Sequence, residues 1–179
     1  RSMDRQIKVK ELRAAIDGDI DSRQRCDKLT ELASLLSGGA RKRCWKEIVE
    51  ECGFDPRAAV AWVMLLKGES DSRAVRKYLD FIESAEVRNR DDTVSIWATG
   101  LTLLRKAGPN DKLVYYEAML NARIIGPGLS NAYDDLANIA TFADRLDLKD
   151  RADDLKERCL EADRKQAARD AKKASAGMN

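Results

Sequence analysis

The sequence predicts an all-α fold: antiparallel helical hairpins stacked as a short solenoid or packed as an irregular helical bundle, about eight or nine helices in all. Apolar residues recur at helical spacing along most of the chain, and no segment alternates with period two over more than a few positions. Charged residues make up 36% of the 179 residues, which suits helices with charged outer faces. Only ten Gly and three Pro interrupt the chain.

The first predicted helices precede residue 53. One covers about 4–16, a second covers 23–36, and a third covers 41–52, each with apolar residues on one face. The Ser-Gly-Gly-Ala stretch at 37–40 separates the second from the third, because glycine commonly ends a helix.

A proline and an acidic cap mark the next start. Asp55 offers an oxygen to the first free amides of a helix, and Pro56 has no amide that needs an acceptor. The helix it opens is predicted to run to Lys67, and Gly68 closes it. Ser-Asp-Ser at 70–72 begins the following helix.

Glycine and proline also divide the second half. A polar connector at 88–93 leads to a helix over 93–107, and Asn110 or Asp111 caps the next one. Gly-Pro-Gly-Leu-Ser-Asn at 126–131 is the clearest break in the chain. Ser130 or Asn131 then starts a helix, and residues 146–150 are predicted to form a short turn before the last helix.

These elements pair into hairpins at about 23–52, 55–86, 92–125 and 130–163. We predict one all-helical domain over 4–163, followed by a basic Ala/Lys-rich tail at 164–179. Residues 1–3 are expected to be a cloning remnant, with the natural chain starting at Met3.

The last hairpin has small residues at regular positions. Ala140, Ala143 and Leu146 are spaced along one helix face, and Ala152 follows Ala140 by twelve residues. Cys-Leu-Glu-Ala-Asp at 159–163 closes the unit. This pattern resembles a tetratricopeptide repeat, a family of helical hairpins with small residues where the helices cross. Poorer matches lie at 55–85 and 94–122.

The resemblance implies a concave face lined by the first helix of each hairpin. An Asn in that helix, here Asn138, is a position the family often uses to hold a peptide backbone or carboxylate. In the two best-placed hairpins the residues expected to line such a groove are Thr102, Arg105, Asn138, Thr141 and Arg145.

Enzymatic chemistry has little support in the composition. The chain has no His, no glycine-rich phosphate loop after a strand and no nucleophile elbow. Its four Cys include no Cys-x-x-Cys pair, so we expect no zinc site, no other metal and no cofactor. Cys44 follows three cations but has no His as a base, so we interpret all four as buried thiols in a reducing compartment.

Two basic stretches suggest an alternative. The net charge is only +2, so an argument for nucleic acid must rest on local patches. One patch surrounds Trp45, where cations with an aromatic ring suit phosphate and base stacking, and the other is the tail. Their members are Arg41, Lys42, Arg43, Lys46, Arg164, Lys165, Arg169, Lys172 and Lys173.

We therefore predict a non-enzymatic protein-interaction or scaffold module that binds a protein or peptide segment on a helical surface. The alternative is a nucleic-acid-associated or self-assembling protein, nucleocapsid-like or matrix-like, that uses the basic patches and forms a homo-oligomer. The longest apolar run, at 62–66, is too short to span a membrane. The absence of a signal-peptide pattern predicts a cytoplasmic protein, although a protein delivered into a host cell would look the same.

Overall fold

The computed structural model describes residues 2–84 and 89–177. Within those ranges it contains nine α-helices and no strand, which confirms the all-α prediction and the predicted number of helices. Contacts divide the chain into two compact units, residues 1–92 and 93–179. The single domain predicted over 4–163 stays a prediction, and residues 85–88, where one predicted hairpin ends and the polar connector begins, lie outside the described residues.

Unit 1 contains five helices, each of which packs against the next in sequence. Leu12, Leu29, Leu32 and Ile48 are at most 2% exposed and form the centre of a core shared by the first four helices. This packing buries the apolar stripes that helical periodicity predicts. The helices are α1 Ser2–Ile16, α2 Ser22–Leu35, α3 Gly38–Glu51, α4 Pro56–Leu66 and α5 Asp71–Glu83.

Side-chain caps start three of these helices. Asp21 and Gln24 form a reciprocal capping box at α2, and Asp55 accepts a hydrogen bond from the amide of Arg57 at α4. Ser70 caps α5 in the same way. The starts predicted at Asp55-Pro56 and at 70–72 are therefore confirmed.

The break between α2 and α3 is shorter than predicted. Residues 37–40 do not all separate the helices, because α3 already begins at Gly38. Gly38 has a φ of +57°, which a glycine adopts without the steric cost that a β-carbon brings. The two glycines therefore open α3 instead of closing α2.

Unit 2 is built around the hairpin of its last two helices. Its core includes four fully buried residues, which are Leu136, Ala140, Ala152 and Cys159. The small side chains of Ala140 and Ala152 let α8 and α9 approach closely, and α7 packs on both. The elements are α6 Arg90–Gly100, which begins just before the unit boundary, a 3₁₀ turn Leu101–Leu104, α7 Pro109–Asn121, α8 Ser130–Phe142 and α9 Leu146–Gly177.

The turn predicted at 146–150 is wrong. Those residues form the first part of α9, and the connection consists of Ala143, Asp144 and Arg145. Leu148 is only 2% exposed, so burying it on the unit's core favours helix in this stretch. At the other end α9 continues through the predicted tail to Gly177. The tetratricopeptide resemblance stays a prediction.

The cysteines fall into two classes. Cys26 in α2 and Cys52 at the end of α3 form a disulfide, with their Cα atoms 5.8 Å apart. The expectation of four thiols is wrong for this pair, because the antiparallel α2–α3 hairpin brings positions 26 and 52 together. Cys44 and Cys159 are free and buried, and burial raises the pKa of both thiols.

Candidate functional site

An open apolar groove lies between α2, α3 and α4 of unit 1. Its volume is about 400 Å³, within the roughly 300–1,000 Å³ typical of ligand pockets. The lining residues are Thr30, Ala33, Ser34, Arg41, Trp45, Ile48, Pro56, Arg57, Val60, Ala61 and Met64.

The apolar surface of the groove comes from α3 and α4. Trp45 and Ile48 lie four and seven residues after Arg41, so all three share one face of α3. Trp45 is half-buried and packs against the core of unit 1 with part of its ring. Opposite it on α4, Met64 is half-buried and Val60 is 53% exposed. An exposed aliphatic side chain beside a half-buried indole gives a partner apolar area to cover.

Arg41 lies in this groove instead of pointing straight into solvent. Its Nε donates a 3.1 Å hydrogen bond to the carbonyl of Ala33, one of the last carbonyls of α2. Its Cζ lies 5.9 Å from the centroid of the Trp45 ring, a cation–π contact. Among the described residues, no carboxylate lies within 4.0 Å of its guanidinium.

Arg57, the other cation of the groove, is neutralised. Its Nε and Nη2 donate to the two carboxylate oxygens of Asp55 at 2.8 and 3.0 Å, and its Nη1 donates to Asp27. Burial opposes ionisation of Asp55, but the hydrogen bonds and charge of Arg57 outweigh it and hold the pKa of Asp55 below its ordinary value.

A second, polar cleft adjoins the groove. Its volume is about 700 Å³, and it shares Pro56 and Arg57 with the groove. Both disulfide cysteines, Cys26 and Cys52, line it. The disulfide therefore joins two of the three helices that form the groove, at the end where α4 begins.

The residues predicted to line a tetratricopeptide-type groove are all exposed in unit 2. The hydroxyls of Thr102 and Thr141 donate to carbonyls three and four residues earlier in the chain. Arg145 pairs with Glu117 of α7 and with Asp147. Within the described residues, no hydrogen bond or ion pair connects Thr102 or Arg105 with the other three. Asn138 lies on the exposed face of α8, and the role of the five residues stays a prediction.

The basic patch of α3 is divided between two faces. Successive helix residues point about 100° apart, so Arg41 lines the groove while Lys42, Arg43 and Lys46 are exposed elsewhere on the helix. The five predicted tail cations are exposed on the end of α9. They are Arg164, Lys165, Arg169, Lys172 and Lys173.

Sequence reasoning missed the α4 side of the groove. Residues 58–66 are entirely apolar, and the helix buries Ala58, Ala59 and Ala61. A helix that is apolar all round is usually surrounded by protein, but in a unit of five helices one side of α4 stays open at Val60. That uniform apolar character was the available signal.

Within the described residues, no group of three or more His, Cys, Asp or Glu side chains is arranged to hold a metal ion. None of the helices there has the length and apolar content that a membrane-spanning segment requires. Comparison with protein-family models, with curated protein sequences and with solved structures found no match to this chain.

Proposed function

We propose that this protein is a non-enzymatic interaction module whose α2–α3–α4 groove binds a partner segment with bulky apolar side chains. The observation that carries the proposal is the apolar groove itself, with Val60 53% exposed beside the half-buried Trp45. Three packed helices hold these side chains, so binding orders few groups of this chain. A partner side chain that covers Trp45 and Val60 removes apolar area from water, which favours association.

The groove differs from the one that the repeat resemblance implies. It is open at α4, and it offers an aromatic ring with aliphatic side chains where the predicted set is wholly polar or charged. Aromatic residues in half-enclosed sites are frequent centres of binding energy at protein interfaces. For that reason we favour unit 1 as the binding surface.

The test uses peptides selected from a displayed random library on the full chain. Binding of the selected peptides is then compared between wild type and Val60→Asp, with Val114→Asp as the matched control. Val114 is 49% exposed on α7, so both changes put a carboxylate at a similarly exposed valine. We expect Val60→Asp to weaken binding about tenfold or more, because it replaces apolar contact area with a carboxylate that the partner's apolar side chains cannot solvate. Equal affinities for the two variants would contradict the proposal.

A second candidate function rests on the end of α9. Residues 164–177 are helical, none is buried, and the tail carries five cations and one anion. A regular row of exposed cations favours phosphate contacts, and so supports a nucleic-acid-associated or self-assembling protein as the alternative.

A further inference from the structure

We infer that the partner segment also carries a carboxylate, an Asp or Glu close to its bulky apolar residue, and that Arg41 binds that carboxylate. The inference rests on the proposed function, since it concerns the same groove. It adds that the partner must carry a negative charge, which an apolar groove alone would not require.

The charges that line the groove are of one sign. Two of its eleven lining residues are cations, and none is acidic. Arg57 already has Asp55 and Asp27 as partners, so its charge is compensated within the protein. Arg41 has no carboxylate partner among the described residues, and it therefore supplies the positive charge that a partner meets.

The surroundings of Arg41 orient it for such a contact. A guanidinium has five N–H donors in a plane, and the bond to Ala33 uses the one on Nε. That bond caps the end of α2, which gives a structural reason for an arginine at this position. It does not use the four N–H donors of Nη1 and Nη2. The ring of Trp45 supports the guanidinium, so less side-chain freedom is lost when a carboxylate binds.

The apolar side chains favour a peptide over a nucleic acid as the source of the anion. Ile48, Val60 and Met64 have no polar atom that reads a base edge, and Trp45 already contacts Arg41. A peptide satisfies both features at once, with an apolar side chain against α4 and a carboxylate at Arg41. Carboxylate and guanidinium match as a bidentate pair, whose strength rises where water is partly excluded.

The experiment pans a displayed random peptide library against four forms of the full chain: wild type, Arg41→Gln, Lys46→Gln and Val60→Asp. Lys46 is the control for charge, because it is exposed on the same helix and lies outside the groove. Wild type and Lys46→Gln are expected to enrich a bulky apolar residue with Asp or Glu close by. Panning on Arg41→Gln is expected to enrich peptides with the apolar residue but without the acid. Panning on Val60→Asp is expected to enrich neither the apolar residue nor the acid.

A synthetic peptide from the wild-type selection then tests the pair directly. Replacing its acid by the amide should weaken wild-type binding about tenfold and leave binding to Arg41→Gln nearly unchanged, the signature of a direct contact. Because Arg41→Gln also removes the bond to Ala33, an Arg41→Glu variant is tested with a peptide whose acid is replaced by Lys. Recovered binding there reports charge pairing and cannot come from a loosened α2.

The two proposals fail in different ways. If wild type selects peptides that depend on Val60 but carry no excess of Asp or Glu, the carboxylate inference is wrong and the proposed function stands. If no selected peptide depends on Val60, the proposed function itself is wrong. If oligonucleotide competes with the peptides and Arg41→Gln abolishes that competition, the anion is a phosphate and the inference is overturned.

Discussion

At the scale of single residues, Asp55 has two roles where α4 begins. Its carboxylate caps α4 through the amide of Arg57, and it also holds the guanidinium of Arg57 in place. Arg57 in turn reaches α2 through Asp27 and the carbonyl of Arg23. One side chain thus fixes both the start of α4 and the contact of α4 with α2.

We expect Asp55→Asn to lower the free energy of unfolding by about 1 kcal/mol at pH 7, since asparagine still caps a helix but loses the ion pair. The pKa of Asp55 lies below its ordinary value of 3.8, so its ionised form stabilises the fold above that pH. This contribution is lost as the pH falls through the folded-state pKa. The difference between wild type and Asp55→Asn should therefore shrink toward pH 2.

Urea unfolding followed by circular dichroism at pH 7, 5, 3 and 2 measures that difference. Because the second variant, Asp55→Ala, also loses the cap, it should be less stable than Asp55→Asn at every pH. A wild-type advantage over Asp55→Asn that stayed constant down to pH 2 would contradict the ionic role of Asp55.

Residue identity predicts the cap at Asp55 but not the environment of Arg41. An Asp followed by Pro has a local meaning, because both act on the first turn of the same helix. The run Arg41-Lys42-Arg43 looks uniform in the sequence, yet only Arg41 lines the groove. That selection depends on Ala33 and Trp45, one of which lies on another helix, so no local pattern reveals it.

At the scale of helices, the Cys26–Cys52 disulfide joins α2 to the end of α3, and these are two sides of the groove. The loop that it closes spans 26 residues. In the chain-entropy description, a loop of that length corresponds to a stabilisation of about 3.5 kcal/mol, through restriction of the unfolded chain. The disulfide therefore stabilises unit 1 and also holds together two of the helices that form the groove.

We expect reduction to increase hydrogen exchange in α2 and α3, because losing the cross-link lowers the free energy of opening this hairpin. Exchange measured by mass spectrometry with and without dithiothreitol tests this, and labelling of the denatured chain should count two thiols before reduction and four after it. The variant with Cys26→Ala and Cys52→Ala is the control, since its exchange should not respond to reductant. Unchanged exchange in reduced wild type would contradict the stabilising role.

Helix starts that carry a local side-chain cap were easier to predict than features that depend on contacts between helices. The starts at Asp55-Pro56 and Ser70 rest on side chains within one turn, whereas the start of α9 at Leu146 depends on burial of Leu148 against other helices. The disulfide likewise depends on the register of the α2–α3 hairpin. The spacing of Cys26 and Cys52 in the sequence carries no sign of it.

At the scale of the whole chain, charge is unevenly distributed. The net charge is +2, and the tail at 164–179 contributes five cations and one anion, so residues 1–163 carry a net charge of −2. Asp163 accepts hydrogen bonds from Gly128, in the loop before α8, and from Ser130, the first residue of α8. Beyond it, the side-chain hydrogen bonds of the described tail residues stay within α9. The excess positive charge is therefore concentrated on a helical segment in which none of residues 164–177 is buried.

We expect a chain ending at Asp163 to keep its free energy of unfolding within about 0.5 kcal/mol, because none of the removed residues at 164–177 is buried. If the tail binds nucleic acid, the full chain retains a labelled oligonucleotide at low salt and releases it as salt rises, and the shortened chain retains none.

A triple variant, Lys42→Gln, Arg43→Gln and Lys46→Gln, is the control, because it removes three exposed cations and leaves the tail intact. Equal retention by the full and shortened chains would assign any nucleic-acid binding to residues 1–163, where net negative charge opposes it. Loss of stability above about 1 kcal/mol would instead show that the tail supports the fold.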